Sequence, residues 1–308
     1  MDGTFLHCLL ICVGMWAADY SLPCSKRNEG IVMAVLALSS QVVTGHVGNS
    51  ATAFALRRLG HDVHAVPTIV LSHHPGHGVP VVLRTPAETV DAMIASVLGR
   101  GRPEMVFSGY LADAANAATL ARYLRALRDG GRCPLVLDPV MGDSHKGLYV
   151  PADVALAIRR DLLPLAGLVL PNLFELGHLA DMPVGTEAQA ITAAETLMTI
   201  GAGAVICTSA PGDAGMATTL VVQPDAAHRI VMTAIPDAPH GTGDLFSGLV
   251  MAKRLEGAPL VDAAAHAAAA VHAVIGWSRA LRSPDLSLIA GQAALSEPPI
   301  PADVERVY

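Results

Sequence analysis

From Met33 onward, short apolar runs alternate with longer stretches whose apolar residues recur at helical spacing. Runs of this kind read as buried strands, and recurrences at i, i+3, i+4 and i+7 read as helices. Val32 to Leu38 is a first buried strand, followed by a loop at Gly45 to Gly48. A helix then runs through Leu59, with Gly60 where a C-terminal cap belongs. His61 to Val70 is the next strand region. Thr85-Pro86-Ala87-Glu88 reads as a capping box with Pro at the first helical position, and Val90, Met93, Ile94, Val97 and Leu98 continue it. Met105 to Phe107 is a strand that ends at Ser108-Gly109-Tyr110, and a helix over Asp113 to Arg128 stops at Gly130-Gly131. Leu135 to Leu137, Leu168 to Leu170 and Ala204 to Cys207 are further strands, with a helix over Glu187 to Ile200 between the last two. Val221-Val222 and Ile230 to Ile235 suggest a less regular antiparallel pair, and helices near Asp244 to Leu255 and Val261 to Ala280 close the pattern. The alternation predicts an α/β fold with a mostly parallel central sheet and helices on both faces. No linker or repeat divides it, so 33–308 reads as a single domain. Ligands of such sheets sit at the carboxyl ends of the strands, so the polar residues there carry the chemistry.

Composition narrows the picture. The chain has 308 residues, 52% of them hydrophobic, enough for a large core. Charged residues make up 15%, because alanine-rich helices replace charged ones. A net charge of −7 without a basic stripe argues against nucleic acid as a partner. No run of consecutive apolar residues reaches the ~18 of a membrane span, so no membrane partner is expected. The five cysteines are odd in number and form no Cys-x-x-Cys pair, which points to reduced thiols in the cytoplasm. The first 32 residues hold three of these cysteines and a largely apolar stretch from Phe5 to Ala18, yet Asp2 is the only charge ahead of it. A signal peptide wants Lys or Arg there. Residues 1–32 are therefore expected to be an extension outside the fold, with Met33 a start in its own right.

Four strand-end clusters bear candidate chemistry. Gly241-Thr242-Gly243-Asp244 opens a helix whose free N–H groups and positive dipole end form an anion site. A carboxylate at Asp244 could accept a proton from a substrate hydroxyl, or merely begin the helix. Asp138 and Asp143 stand five apart across a Pro/Gly loop and could hold hydrated Mg²⁺ through one or two carboxylates, or simply be solvated. Asn172 and Glu175 share a helix face after another strand; they could meet a metal's water shell, and their spacing is also nearly a capping box. Thr208 and Ser209 could bond a nucleotide or their own turn. Phosphate-loop, dinucleotide-loop and hydrolase-elbow glycine motifs are all absent. Five of thirteen histidines fall between His61 and His77 without a helical i, i+4 pair, which favours a substrate-facing loop over zinc.

In this order the clusters resemble the pyridoxal kinases of the ribokinase-like superfamily. The resemblance is carried most specifically by Ser40 after the first strand and by Gly45-His46-Val47-Gly48-Asn49-Ser50. It covers about Met33 to the C-terminus. It implies ATP-dependent phosphorylation of the 5′-hydroxymethyl group of pyridoxal, pyridoxine or pyridoxamine, with Mg²⁺, help from K⁺, and a homodimer with a mobile loop over the site. By the same resemblance Asp244 is the base and Gly241, Thr242 and Gly243 form the anion hole. Ser40, His74, Pro75 and Tyr110 would meet the vitamer. Asp138, Asn172, Glu175, Thr208, Ser209 and Thr242 would meet ATP, with Asp143 and Glu175 near the metal. The usual Ser-Asn-His-Thr loop reads Ser72-His73-His74-Pro75 here, which removes a hydroxyl and an N–H donor at Pro75. The rival enzyme is a hydroxymethylpyrimidine kinase, whose members usually carry Cys where Asp244 stands; the rival from another class is a non-catalytic pyridoxal phosphate binder. A chain beginning at Met33 is expected to form pyridoxal phosphate as fast as the full chain; collapse of its turnover would refute the reading of the extension.

Overall fold

The computed structural model describes residues 33–129 and 133–308. In chain order these form β1 (Met33–Val42), α1 (Asn49–Arg58), β2 (Val63–Leu71), β3 (Val82–Arg84), α2 (Ala87–Leu98), β4 (Pro103–Ser108) and α3 (Ala114–Asp129). Next come β5 (Leu135–Leu137), the two-residue strands β6 (Gly142–Asp143) and β7 (Gly147–Leu148), α4 (Ala152–Ala157), β8 (Ala166–Val169), α5 (Leu173–Ala180) and α6 (Glu187–Ile200). The chain closes with β9 (Val205–Ala210), β10 (Met216–Gln223), β11 (Ala226–Thr233), α7 (Thr242–Leu255), α8 (Leu260–Ala280), α9 (Leu288–Gly291) and β12 (Asp303–Arg306). The expected extension over 1–32 and the helix stop at Gly130-Gly131 lie outside the described residues.

The main sheet has ten strands in the order β12-β11-β10-β9-β8-β5-β4-β1-β2-β3. Its centre, β2-β1-β4-β5-β8-β9, is parallel. Antiparallel strands extend it at both edges. Both faces of the centre are buried, which is why its strands read as continuous apolar runs and not as alternation. Leu36, Leu38, Val106, Leu135 and Leu137 face one way, against Ile94 of α2, Leu120 and Leu124 of α3 and Leu197 of α6. Val35, Ala37, Phe107 and Val136 face the other way, against Leu56 of α1, Leu249 of α7 and Val274 of α8. Each fully buried Leu or Phe stabilises this arrangement by about 1.5–3 kcal/mol.

Several local expectations are corrected. Thr85 does not cap α2: its hydroxyl donates instead to the Pro67 carbonyl at 2.7 Å, and Pro86 takes the cap position. Val221 and Ile230 belong to a regular hairpin of two eight-residue strands rather than an irregular pair. Its rim residues are polar or exposed, so the apolar run understated its length. Helix α8 has the length and apolar character of a membrane span. Its Ala264, Ala267, Ala270 and Val274 are instead buried in the core against α7 and β11.

Helices α1 and α7 approach closely because Gly248 has no side chain. A Cβ there would lie 2.9 Å from the Thr52 carbonyl oxygen and 3.0 Å from the Ala55 methyl. Gly248→Leu is expected to destabilise the protein by about 1–3 kcal/mol through overpacking, read from the urea midpoint at unchanged slope.

Candidate active site

Strand β1 delivers the first candidate side chain through an irregularity. Its register on β2 slips between Ser39 and Ser40, so that Ser39 pairs with Pro67 and Ser40 with Ile69, leaving Thr68 as the extra residue. Such a bulge re-aims side chains at the end of a strand. Ser39 stays buried and its Oγ accepts the Tyr110 N–H at 3.2 Å. Ser40 lines a cleft of about 540 Å³ at the carboxyl ends of the parallel strands. The Thr68 hydroxyl donates to the Tyr110 carbonyl at 2.6 Å. Two hydroxyls, from Ser39 and Thr68, thus pin both backbone polar groups of Tyr110, whose ring borders the same cleft.

Opposite stands the start of α7. Gly241 takes the N-cap in the left-handed region, φ 95°, and brings no capping side chain. No side chain caps the opening N–H groups of the helix, the kind of helix start that can receive an anion. A Cβ at Gly241 would collide with the His46 carbonyl oxygen. A Cβ at Gly48, itself at φ 56°, would collide with the Ser40 carbonyl and hydroxyl. The Gly48 N–H donates to the Asp244 carboxylate, and the Thr52 hydroxyl donates to the Asp244 carbonyl at 3.0 Å. Burial raises the Asp244 carboxyl to about 6, and the Gly48 N–H partly opposes that rise.

Asp138 and Glu175 form the deeper floor. Asp138 follows β5; it accepts the Ser247 hydroxyl at 3.0 Å. Burial pushes its carboxyl well above the usual range, and repulsion from Glu175 and Asp244 adds to the rise. Asn172 and Glu175 make the full capping box of α5, with Glu175 N–H to Asn172 Oδ1 at 2.9 Å and Asn172 N–H to Glu175 Oε2 at 3.0 Å. The Glu175 Oε1 also accepts the Met141 N–H at 2.8 Å. The cap and the site residue are thus one and the same group. Burial raises the Glu175 carboxyl in spite of these donors. Asp143 is held lower by the N–H groups of Lys146 and His145, at 2.7 and 2.8 Å, against some burial.

Asp138 feels the repulsion of both Glu175 and Asp244, a charge arrangement that a cation would relieve. Among the described residues, no three His, Cys, Asp or Glu side chains gather into a complete metal cage. Mg²⁺ does not require one, since it keeps several waters and takes phosphate oxygens. The lone pairs of Asp143 and Glu175 are already partly committed to backbone N–H groups, so these two suit contact with a metal's water shell better than a full set of direct bonds.

A loop over residues 72–81 walls the mouth. Its ends are tied by Ser72 N–H to the Val81 carbonyl and Val81 N–H to the Ser72 hydroxyl, both at 2.9 Å. Within it, Pro75–His77 makes one 3-10 turn capped by His74 Nδ1, which accepts the Gly76 N–H at 3.0 Å. The His74 ring lies 3.9 Å from that of His240, and His77 pairs with Asp285 at 3.0 Å. Burial, with the nearby His240, lowers His74 to about 4.

Of the residues expected at a site, Ser40, His74, Pro75, Tyr110, Asp138, Asp143, Asn172, Glu175, Thr208, Gly241, Gly243 and Asp244 all line this one cleft. Thr242 and Ser209 do not. Ser209 is exposed at φ 53°, where β9 runs two residues beyond Thr208. Residues that the sequence reading did not single out also line it, chiefly Arg84, Lys146, Tyr149, His240 and Ser247. His240 directly precedes the flagged Gly241 run, and Lys146 lies three residues past Asp143. Ser247 was hidden as one polar residue on an apolar helix.

Residues 56–284 match the family model described as phosphomethylpyrimidine kinase. The pyridoxal kinase PdxY of Rubrobacter xylanophilus is 32% identical over 290 residues, covering 91% of this chain and 99% of that protein. The pyridoxine/pyridoxal/pyridoxamine kinase of Bordetella pertussis is 38% identical over 245 residues, covering 76% of this chain and 85% of that one. The chain belongs to the pyridoxal kinase family. Among solved structures, the pyridoxal kinase of Leishmania donovani in complex with ADP and pyridoxamine superposes with a TM-score of 0.84 at 26% identity, covering 89% of this chain and 99% of that one. The fold is accordingly the ribokinase-like α/β fold that the order of elements implied.

The raised carboxyls have a consequence for stability in the absence of ligands. A folded carboxyl with a raised pKa binds more protons than in the unfolded chain, so its contribution falls as pH rises from the ordinary carboxylate range through the folded value. For Asp244 that window ends at about 6. The melting temperature of Asp244→Asn is expected to gain on wild type as pH rises from about 4 to about 6, and to gain little beyond that. An unchanged difference across the scan would remove Asp244 from the set of strained acids.

Proposed function

We propose that the chain transfers the γ-phosphoryl group of ATP to the 5′-hydroxymethyl group of pyridoxal, and of pyridoxine or pyridoxamine, with Asp244 as the base. The observation that carries this reading is the position of Asp244. Its carboxyl sits at the uncapped start of α7, in one cleft with Ser40 and Tyr110 and with the acids Asp138 and Glu175. Phosphoryl transfer asks for positioning and charge stabilisation more than for covalent help. Ser40 and Tyr110, with His74 and Pro75 from the loop, would hold the pyridine ring. Asp244 would accept the hydroxyl proton as the new P–O bond forms. The N–H groups from Gly241 to Gly243 would bond the phosphoryl oxygens, with Thr242 acting through its backbone. Asn172, Thr208 and Ser209 would meet the nucleotide. Mg²⁺, when bound, would neutralise phosphate charge near Asp138, Asp143 and Glu175; K⁺ and a homodimer in the cytoplasm belong to the same reading.

Support for the vitamer over a hydroxymethylpyrimidine comes from the pyridoxal and pyridoxine kinases at 32–38% identity. The name of the family model keeps the pyrimidine as the second reading. A panel of both substrates with Mg-ATP separates them. Pyridoxal is expected to be phosphorylated, and turnover of the pyrimidine alone would sink the assignment. Asp244→Asn is expected to lose about 10²- to 10⁴-fold in kcat, the usual weight of a general base. In the wild type, kcat/KM should fall as pH is lowered through about 6, where Asp244 takes up its proton. Retained turnover in Asp244→Asn would refute the base.

A further inference from the structure

Four acids, Asp138, Asp143, Glu175 and Asp244, line the cleft before any nucleotide arrives. A triphosphate adds several more charges of the same sign. Two cationic side chains, Arg84 and Lys146, line the cleft. Arg84 stands on the edge strand β3, opposite Ile69, and reaches toward the Ala112 carbonyl at 3.5 Å. Lys146 stands elsewhere, on the turn of the β6–β7 ribbon.

That turn is built to hold one position. Gly142 pairs with Leu148 and Asp143 with Gly147. Gly147 supplies the left-handed residue, φ 71°, that closes the turn. The Asp143 carboxylate accepts the N–H groups of His145 and Lys146 at 2.8 and 2.7 Å, which fixes the Lys146 backbone. Lys146 is exposed and lines the same cleft as His240, Gly241 and Gly243. Its field is felt on both walls. After burial, Lys146 is the largest influence holding His240 below its ordinary value, and it also bears on His74 and Asp143. Among the described residues, its ammonium enters no salt bridge.

We infer that Lys146 contacts the phosphate oxygens of the bound nucleotide, placing a mobile point charge against the group that the start of α7 receives. The inference deepens the kinase reading and rests on it. An ammonium on a flexible stem suits this task, because it can follow a phosphoryl group as charge spreads over the equatorial oxygens. It also explains the double use of Asp143: one carboxylate both lies near the metal's expected place and anchors the turn that carries Lys146.

The test is nucleotide affinity of Lys146→Met and Lys146→Arg, by calorimetry with Mg²⁺, using ADP and adenosine as separate probes. Lys146→Met is expected to bind ADP about tenfold or more weakly, the usual weight of a charge-assisted bond. Adenosine affinity should stay within about twofold, and Lys146→Arg should recover most of the ADP affinity. In turnover, kcat/KM for ATP should fall while KM for pyridoxal holds. ADP affinity unchanged in Lys146→Met overturns the inference. Equal losses for ADP and adenosine overturn it too, because they would mark a distorted ribbon. Wild-type protein that binds ADP but leaves pyridoxal untouched defeats the substrate reading, while the ADP comparison still judges Lys146.

Discussion

The structure depends on a contact that only glycine permits. The loop carrying Gly45 to Gly48 is pressed between Ser40 on one side and the Gly241 turn on the other, so close that a Cβ at Gly48 or Gly241 would strike backbone or hydroxyl oxygen. This contact brings the end of β1 and the start of α7 together, although they are about two hundred residues apart in sequence. It also aims the Gly48 N–H at the Asp244 carboxylate. Burial raises the carboxyl of the candidate base, and this backbone group partly offsets that rise. The α1–α7 packing at Gly248 and the Thr52 bond to the Asp244 carbonyl extend the same constraint into the core.

A second theme is the cost of placing acids where little water reaches. Asp138 and Glu175 are nearly inaccessible, at 7% and 2% exposure. Each is given donors, Ser247 for one and three backbone N–H groups for the other, yet both still sit above the ordinary carboxylate range. In the proposed reading, a cation bound near these acids would relieve their repulsion.

The parallel centre was legible in the sequence because it is buried on both faces. Leu135 to Leu137 and Glu187 to Ile200 emerge with the bounds read from the pattern. The edges were not: β12 is exposed and mostly polar, and β3 is a three-residue strand whose apolar residues Val82 and Leu83 face solvent instead of a core. The ribbon β6–β7 is held by backbone pairs and one carboxylate, which no hydropathy pattern encodes. Within the site, glycine-rich and acidic motifs could be read because their residue types are tied to backbone geometry. Arg84, Tyr149 and Ser247 could not, since each reaches the cleft by tertiary packing from an unremarkable local sequence. Thr85 failed for the opposite reason: its local signal was strong, but a carbonyl from β2 competed for the hydroxyl.

The division of labour between the walls follows from how each is held. Groups proposed for the chemistry stand on β5, α5 and α7, elements buried in the core, where sub-ångström placement can be maintained. Groups proposed for the vitamer come partly from the loop 72–81, which is tied at Ser72 and Val81 but whose tip, Pro75 to Val79, is exposed. Replacing the usual Thr by Pro at 75 alters that tip without touching the floor. Pro75 fixes its own φ and starts the 3-10 turn, and His74 closes the turn with its ring nitrogen, so the ring is spent on the loop's own shape. In the proposed reading His74 would meet a vitamer through the face and edge of its ring, and ring selectivity would rest more heavily on Ser40 and Tyr110, which the bulge and two buried hydroxyls already hold in place.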